Sequence, residues 1–115
     1  MFDWSNNLKV AKELTEKEEE EYHRTAISRA YYSAFGNARK YLDDNSFPYD
    51  NNDGSLHKKV WTSYSFISNE IYINGDRLRK QRVDADYKQK LNNFKNKSKR
   101  AIDLADLVNQ KVKEL

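Results

Sequence analysis

The residues best suited to chemistry in this sequence lie in one short segment, Leu78–Tyr87, which reads LRKQRVDADY. The segment combines the cations Arg79, Lys80 and Arg82 with two carboxylates and the phenol of Tyr87. Arg82 could bind a phosphate, because a guanidinium presents several N–H donors in a planar fork that fits phosphate oxygens. Alternatively, the carboxylates pair with neighbouring cations on an exposed helix face, where such pairs contribute little to stability.

The segment belongs to a longer block of positive charge. Residues 77–100 contain ten bases and two acids, a local net charge of +8, whereas the whole chain carries +3. Such a block attracts polyanions such as nucleic acid, although a solvated helix face has the same composition. A run of negative charge, residues 16–21 (EKEEEE), is expected to stabilise a helix N-terminus through the helix dipole.

Several classes of site are excluded by composition and spacing. The chain has no cysteine, so disulfides and cysteine-bound metals are absent. Its three glycines are far apart and form no phosphate-binding loop. Neither His23 nor His57 has a His or Cys at ligand spacing, so we expect no metal and no cofactor.

We also expect no association with a membrane. The first ten residues lack a basic region followed by an apolar run, and no apolar stretch approaches the roughly twenty residues that span a bilayer. The expected location is therefore the cytoplasm.

The element that must organise these residues is a helix over residues 21–43, EYHRTAISRAYYSAFGNARKYLD. Its apolar residues recur in steps of three and four from Tyr22 to Leu42, which predicts a broad buried stripe. Four alanines stand four residues apart and form a thin ridge that lets a second helix approach closely. They are Ala26, Ala30, Ala34 and Ala38.

Shorter helices are predicted before this one and after it. The first begins near Asp3 or Ser5 and breaks around residues 14–16, where Thr15 and Glu18 have the form of a capping box. Residues 44–54 are a predicted loop that ends in the turn signal Asp53-Gly54.

Beyond that loop, a third helix is predicted from a cap at Ser55 through Ile67, followed by a turn at residues 74–76. A short fourth helix would run from Asp76 to Gln81 or Asp86, and a long last helix from Leu91 to the C-terminus. The sequence therefore predicts one domain over residues 1–115, an all-α bundle of four or five helices.

Three segments resemble the HEPN superfamily of small α-helical domains. They are AISRAYYSAF at residues 26–35, LHKKVW at 56–61 and LRKQRVDADY at 78–87. The resemblance implies a four- or five-helix up-and-down bundle that is usually a homodimer. Many members are metal-independent ribonucleases of toxin–antitoxin and phage-defence systems, while others bind RNA or nucleotides or partner a minimal nucleotidyltransferase.

The resemblance places Arg82 at the catalytic arginine of active members, but Tyr87 stands where their histidine is expected. Metal-free RNA cleavage requires a base for the 2′-OH, charge stabilisation on the phosphorane and an acid for the leaving oxygen. A tyrosine, with a reference pKa near 10, is a poor base at neutral pH. His23 or His57 could replace the missing histidine only if folding brings one of them to Arg82.

The main hypothesis is a HEPN-like protein of a toxin–antitoxin or phage-defence system that binds RNA or a nucleotide through a basic groove. The residues assigned to that groove are Arg29, Tyr32, Arg77, Arg79, Lys80 and Arg82. One alternative is an active metal-independent ribonuclease toxin that uses Arg82 and Tyr87. Another is a non-catalytic dimeric partner of a nucleotidyltransferase antitoxin.

Overall fold

The computed structural model describes residues 2–49 and 56–115, and within these ranges the chain is helical and contains no strand. Five α-helices follow in order, with a 3₁₀ turn at Tyr64–Phe66 after the third: α1 Asn6–Leu14, α2 Glu20–Asp44, α3 Leu56–Ser63, α4 Asn69–Tyr87 and α5 Phe94–Lys113. The predicted all-α bundle is confirmed. None of the described helices is long and apolar enough to cross a membrane.

Helix α2 is the centre of the bundle and contacts each of the other four helices. Its four ridge alanines are all 0% exposed, as the sequence period predicts. A methyl side chain keeps the helix surface thin, so neighbouring backbones can approach α2 closely. Tyr22, which the period places in the same stripe, lies in the first turn of α2 and is 38% exposed.

The turn predicted at residues 74–76 is wrong, because α4 runs without interruption from Asn69 to Tyr87. A Cβ atom added to Gly75 would lie only 2.1 Å from Cε3 of the fully buried Trp61. This glycine therefore allows α4 to pack against α3. The expected short fourth helix is the second half of α4, whose N-terminus is capped by the Ser68 hydroxyl accepting from the amide of Ile71.

The capping box predicted at Thr15 and Glu18 is also wrong. The Thr15 hydroxyl donates to the carbonyl oxygen of Lys12, and α2 begins later, after Glu19. The predicted break is confirmed, since α1 ends at Leu14. The turn signal Asp53-Gly54 and the cap at Ser55 lie outside the described residues.

Candidate functional site

The guanidinium of Arg82 lies against the rings of two consecutive tyrosines of α2, which are themselves packed edge to face. Its Cζ atom lies 5.4 Å from the ring centre of Tyr31 and 5.8 Å from that of Tyr32. Such cation–π contacts fix a guanidinium while leaving its N–H groups unoccupied. Nη1 donates to Asp86 at 3.1 Å, and the buried Nε has no hydrogen-bond partner among the described residues.

His57, the second residue of α3, reaches the same pair of tyrosines. Its Nδ1 atom lies 2.7 Å from the Tyr31 hydroxyl oxygen, which also accepts a 3.1 Å hydrogen bond from Nε1 of Trp61. The imidazole stacks on Phe35 with a centroid separation of 4.2 Å and meets Tyr32 edge to face. These contacts hold the ring in one orientation.

The electrostatics of this region follow from burial and from nearby arginines. Burial lowers the pKa of His57, and the charges of Arg82, Arg79 and Arg39 lower it further. Burial also raises the pKa of Tyr31, so its hydroxyl stays protonated. We call Arg79, Arg82, His57, Tyr31 and Tyr32 the Arg82 cluster.

The structure therefore brings His57, and not His23, to Arg82. His23 is 1% exposed and lies 2.8 Å from the hydroxyl of Ser98 and 2.7 Å from the carbonyl oxygen of Lys17. It ties the start of α2 to α5 and has a structural role. No spacing in the sequence distinguishes the two histidines, because His57 and Arg82 meet only through Tyr31 and Tyr32 on a third helix.

The other predicted cations of α4 differ in their partners and in their exposure to solvent. Nε of Arg79 donates to Asp76 at 3.0 Å, and Nζ of Lys80 lies 3.2 Å from the same carboxylate. Burial favours the protonated form of Asp76, but the hydrogen bonds from Arg79 and Lys80 outweigh it and lower the pKa. Arg77 is exposed.

Arg29 lies on the surface of α2 beside Tyr32 of the Arg82 cluster. They line a groove of about 450 Å³ together with Asp86. Arg29 is exposed and has no hydrogen-bond or ion-pair partner among the described residues, unlike its neighbour Arg24. Arg24 donates to the carbonyl oxygens of residues 85, 88 and 89, and so satisfies carbonyls at the C-terminal end of α4.

Tyr87, the predicted catalytic phenol, is the last residue of α4 and is 75% exposed. Five residues correspond to a rotation of about 140° beyond one full turn of an α-helix, so Tyr87 and Arg82 point in different directions. The structure places this phenol on the surface and His57 beside the arginine.

The rest of the basic block does not converge on this site. Lys95 pairs with Glu18 of the acidic run, while Lys97 and Arg100 line a separate cavity of about 170 Å³. Within residues 2–49 and 56–115, no group of three or more His, Asp or Glu side chains is placed to hold a metal ion.

No family model, no curated protein and no solved structure matches this chain.

Proposed function

We propose that this chain is a HEPN-like module of a toxin–antitoxin or phage-defence system that binds the phosphates of RNA or of a nucleotide at the Arg82 cluster. The observation that supports this most directly is the guanidinium of Arg82, held by two tyrosine rings with one nitrogen hydrogen-bonded to protein. Because Nε is buried, the donors left for phosphate oxygens are the terminal N–H groups that Asp86 does not use. Arg29 lies beside it and adds positive charge, whereas Arg77 and Lys80 line a separate groove of about 360 Å³ with Asp76.

Tyr32 adds a second kind of contact. It is partly exposed, and its ring contacts the Arg82 guanidinium and lines the same groove as Arg29. Single-stranded nucleic acids bind through a combination of positive charge and aromatic rings on which bases stack. This combination favours single-stranded RNA over a duplex as the ligand.

The second candidate is a metal-independent ribonuclease. The nearness of His57 to Arg82 favours it, because an imidazole can move protons near neutral pH. The position of Tyr87 does not, since that side chain points away from Arg82. Dimerisation and pairing with a nucleotidyltransferase stay predictions of the family resemblance.

RNA binding is tested by fluorescence anisotropy with a labelled single-stranded oligoribonucleotide over a series of salt concentrations. We expect affinity to fall as salt rises, with a log–log slope of about −0.7 per phosphate contacted. Arg82→Ala should weaken binding about tenfold, the size expected for losing a charge-assisted hydrogen bond. Arg82→Lys keeps the charge, and we expect it to recover only part of the loss because it lacks the planar fork.

The matched control is Lys99→Ala, which removes an exposed base of α5 outside the cluster. It should weaken binding less than Arg82→Ala does. Equal losses in the two variants, or no binding by the unaltered protein at low salt, would overturn the proposal. The protein would instead be a ribonuclease if it cleaves the oligoribonucleotide in the presence of EDTA and Arg82→Ala abolishes that cleavage.

A further inference from the structure

The hydrogen bonds around Tyr31 determine which nitrogen of His57 carries the proton. An indole Nε1–H can only donate, so the Tyr31 oxygen accepts from Trp61. Tyr31 is 0% exposed, and leaving the hydrogen of a buried hydroxyl without an acceptor is costly. The acceptor that the structure offers is Nδ1 of His57, at 2.7 Å. Nδ1 therefore carries the lone pair, and the proton of the neutral ring is on Nε2.

We propose that His57 is a phosphate-binding residue of the Arg82 cluster, which donates a hydrogen bond from Nε2–H to a phosphate oxygen of RNA. This rests on the proposed function and adds a donor from α3. Tyr31 is a positioning residue, since it acts through the imidazole. Arg82 and His57 then present N–H donors from two different helices, arranged around the rings of α2.

The same hydrogen bonds argue against His57 as the general base of a ribonuclease. Because Nδ1 is bonded to Tyr31, His57 could act as a base only through a lone pair on Nε2, and the ring proton would then be on Nδ1. The Tyr31 hydroxyl would then have no acceptor among the described residues, and an unsatisfied buried donor is costly. The cations around the ring act in the same direction, because they disfavour the imidazolium that a base would become. They are Arg82 and Arg79 of α4 and Arg39 of α2.

Two carboxylates of α4 are engaged with cations of the cluster. Asp86 accepts from Arg82, and Asp76 accepts from Arg79. Neither carboxylate has a hydrogen bond to His57. The imidazole thus lies in the positive field of Arg82, Arg79 and Arg39, which favours an anion beside it.

Two substitutions distinguish the acceptor role of Nδ1 of His57 from the donor role of Nε2. In His57→Asn the side-chain oxygen replaces Nδ1 as acceptor for Tyr31, but the outward donor is lost. In His57→Gln the longer side chain places its amide N–H close to where Nε2–H stands. We expect His57→Asn to weaken binding of the oligoribonucleotide about tenfold, and His57→Gln to recover most of that loss.

The tautomer is measured directly by long-range ¹⁵N–¹H NMR of the free protein at neutral pH. We expect a protonated Nε2 and an unprotonated Nδ1, and we expect the Nε2 resonance to move when the oligoribonucleotide or inorganic phosphate is added. A lone pair on Nε2 in the free protein would overturn the inference.

The binding data distinguish a failure of this inference from a failure of the proposed function. Tight, salt-dependent RNA binding that leaves His57 unperturbed and is unchanged in His57→Asn would overturn the role of His57 alone. If neither RNA nor inorganic phosphate binds, both the role of His57 and the proposed function are overturned. A shift of Nε2 with inorganic phosphate and none with RNA would keep His57 as a phosphate donor and reject RNA as its ligand.

Discussion

The two histidines show how strongly the surroundings of a residue determine its role. His23 is enclosed between α2 and α5 and has a hydrogen-bond partner at each nitrogen. His57 is partly exposed and has one nitrogen bound by Tyr31, with no described residue bonded to Nε2. Both lie near the start of a helix in the sequence, and only the partners supplied by other helices distinguish them.

The lowered pKa of His57 predicts a dependence of stability on pH. The unfolded chain binds the His57 proton with an ordinary pKa of 6.5, whereas the folded protein binds it only at lower pH. Unfolding therefore takes up a proton between these two values. The contribution of neutral His57 to stability is complete above pH 6.5 and is lost as pH falls through the folded pKa.

This dependence is measured by urea denaturation of the protein and of His57→Asn, which cannot titrate. The free energy of unfolding of the protein relative to the variant should decrease as pH falls from about 7 to about 5. Carboxylates such as Asp76 titrate in both proteins, so their effects cancel in this difference. A difference independent of pH would mean that folding does not lower the pKa of His57.

At the scale of the elements, two glycines allow helices to approach tryptophan rings. A Cβ added to Gly36 would lie 2.0 Å from Cδ2 of Trp4, and one added to Gly75 would lie 2.1 Å from Cε3 of Trp61. The two tryptophans differ in their freedom to move. Trp4 is partly exposed before the start of α1, whereas Trp61 is fully buried in α3 and hydrogen-bonded to Tyr31.

We therefore expect Gly75→Ala to destabilise the protein by about 1–3 kcal/mol, the usual cost of overpacking a core. Gly36→Ala should cost less, because the Trp4 side chain can shift towards solvent. Both values are obtained from chemical denaturation. On helix propensity alone, alanine would stabilise either site by about 1 kcal/mol, so a more stable Gly75→Ala would show that α4 does not need its close approach to α3.

At the scale of the whole molecule, α2 is the element around which the other helices pack. Its thin alanine ridge is fully buried, so the spacing of the bundle depends on side chains that are small. Arg24 of α2 also binds carbonyls at the end of α4, and Tyr31 of α2 contacts both His57 of α3 and Arg82 of α4. The site is therefore built on the central helix.

Enlarging this ridge should destabilise the bundle. Ala34 is 0% exposed, and Ala34→Leu is expected to lower the free energy of unfolding by about 1–3 kcal/mol through overpacking. Thr25→Leu adds an apolar side chain at an exposed position of the same helix and should change stability by about 0.5 kcal/mol or less. Chemical denaturation of both variants tests this, and equal effects would show that the ridge is not tightly packed.

Much of the fold could be predicted from local patterns. The stripe of α2, the break after Leu14 and the last helix follow from steps of three and four in the sequence, because side-chain burial repeats with the period of the helix. The turn predicted at Gly75 was wrong for a related reason. Asn-Gly-Asp is a local turn signal, and the packing of Trp61 against Gly75 is a contact between helices that no local signal contains.

The sequence by itself determined that the chain forms helices, that α2 buries a thin alanine face, and that Arg82 lies among other cations. Only the tertiary structure decided which groups join Arg82: it places His57 and Tyr31 in the cluster and Tyr87 on the surface. The physical reason is that the spacing of residues along one helix specifies their angular positions on that helix alone. Contacts between side chains of α2, α3 and α4 depend on how the helices cross, which the packing of buried groups such as Trp61 and Gly75 decides.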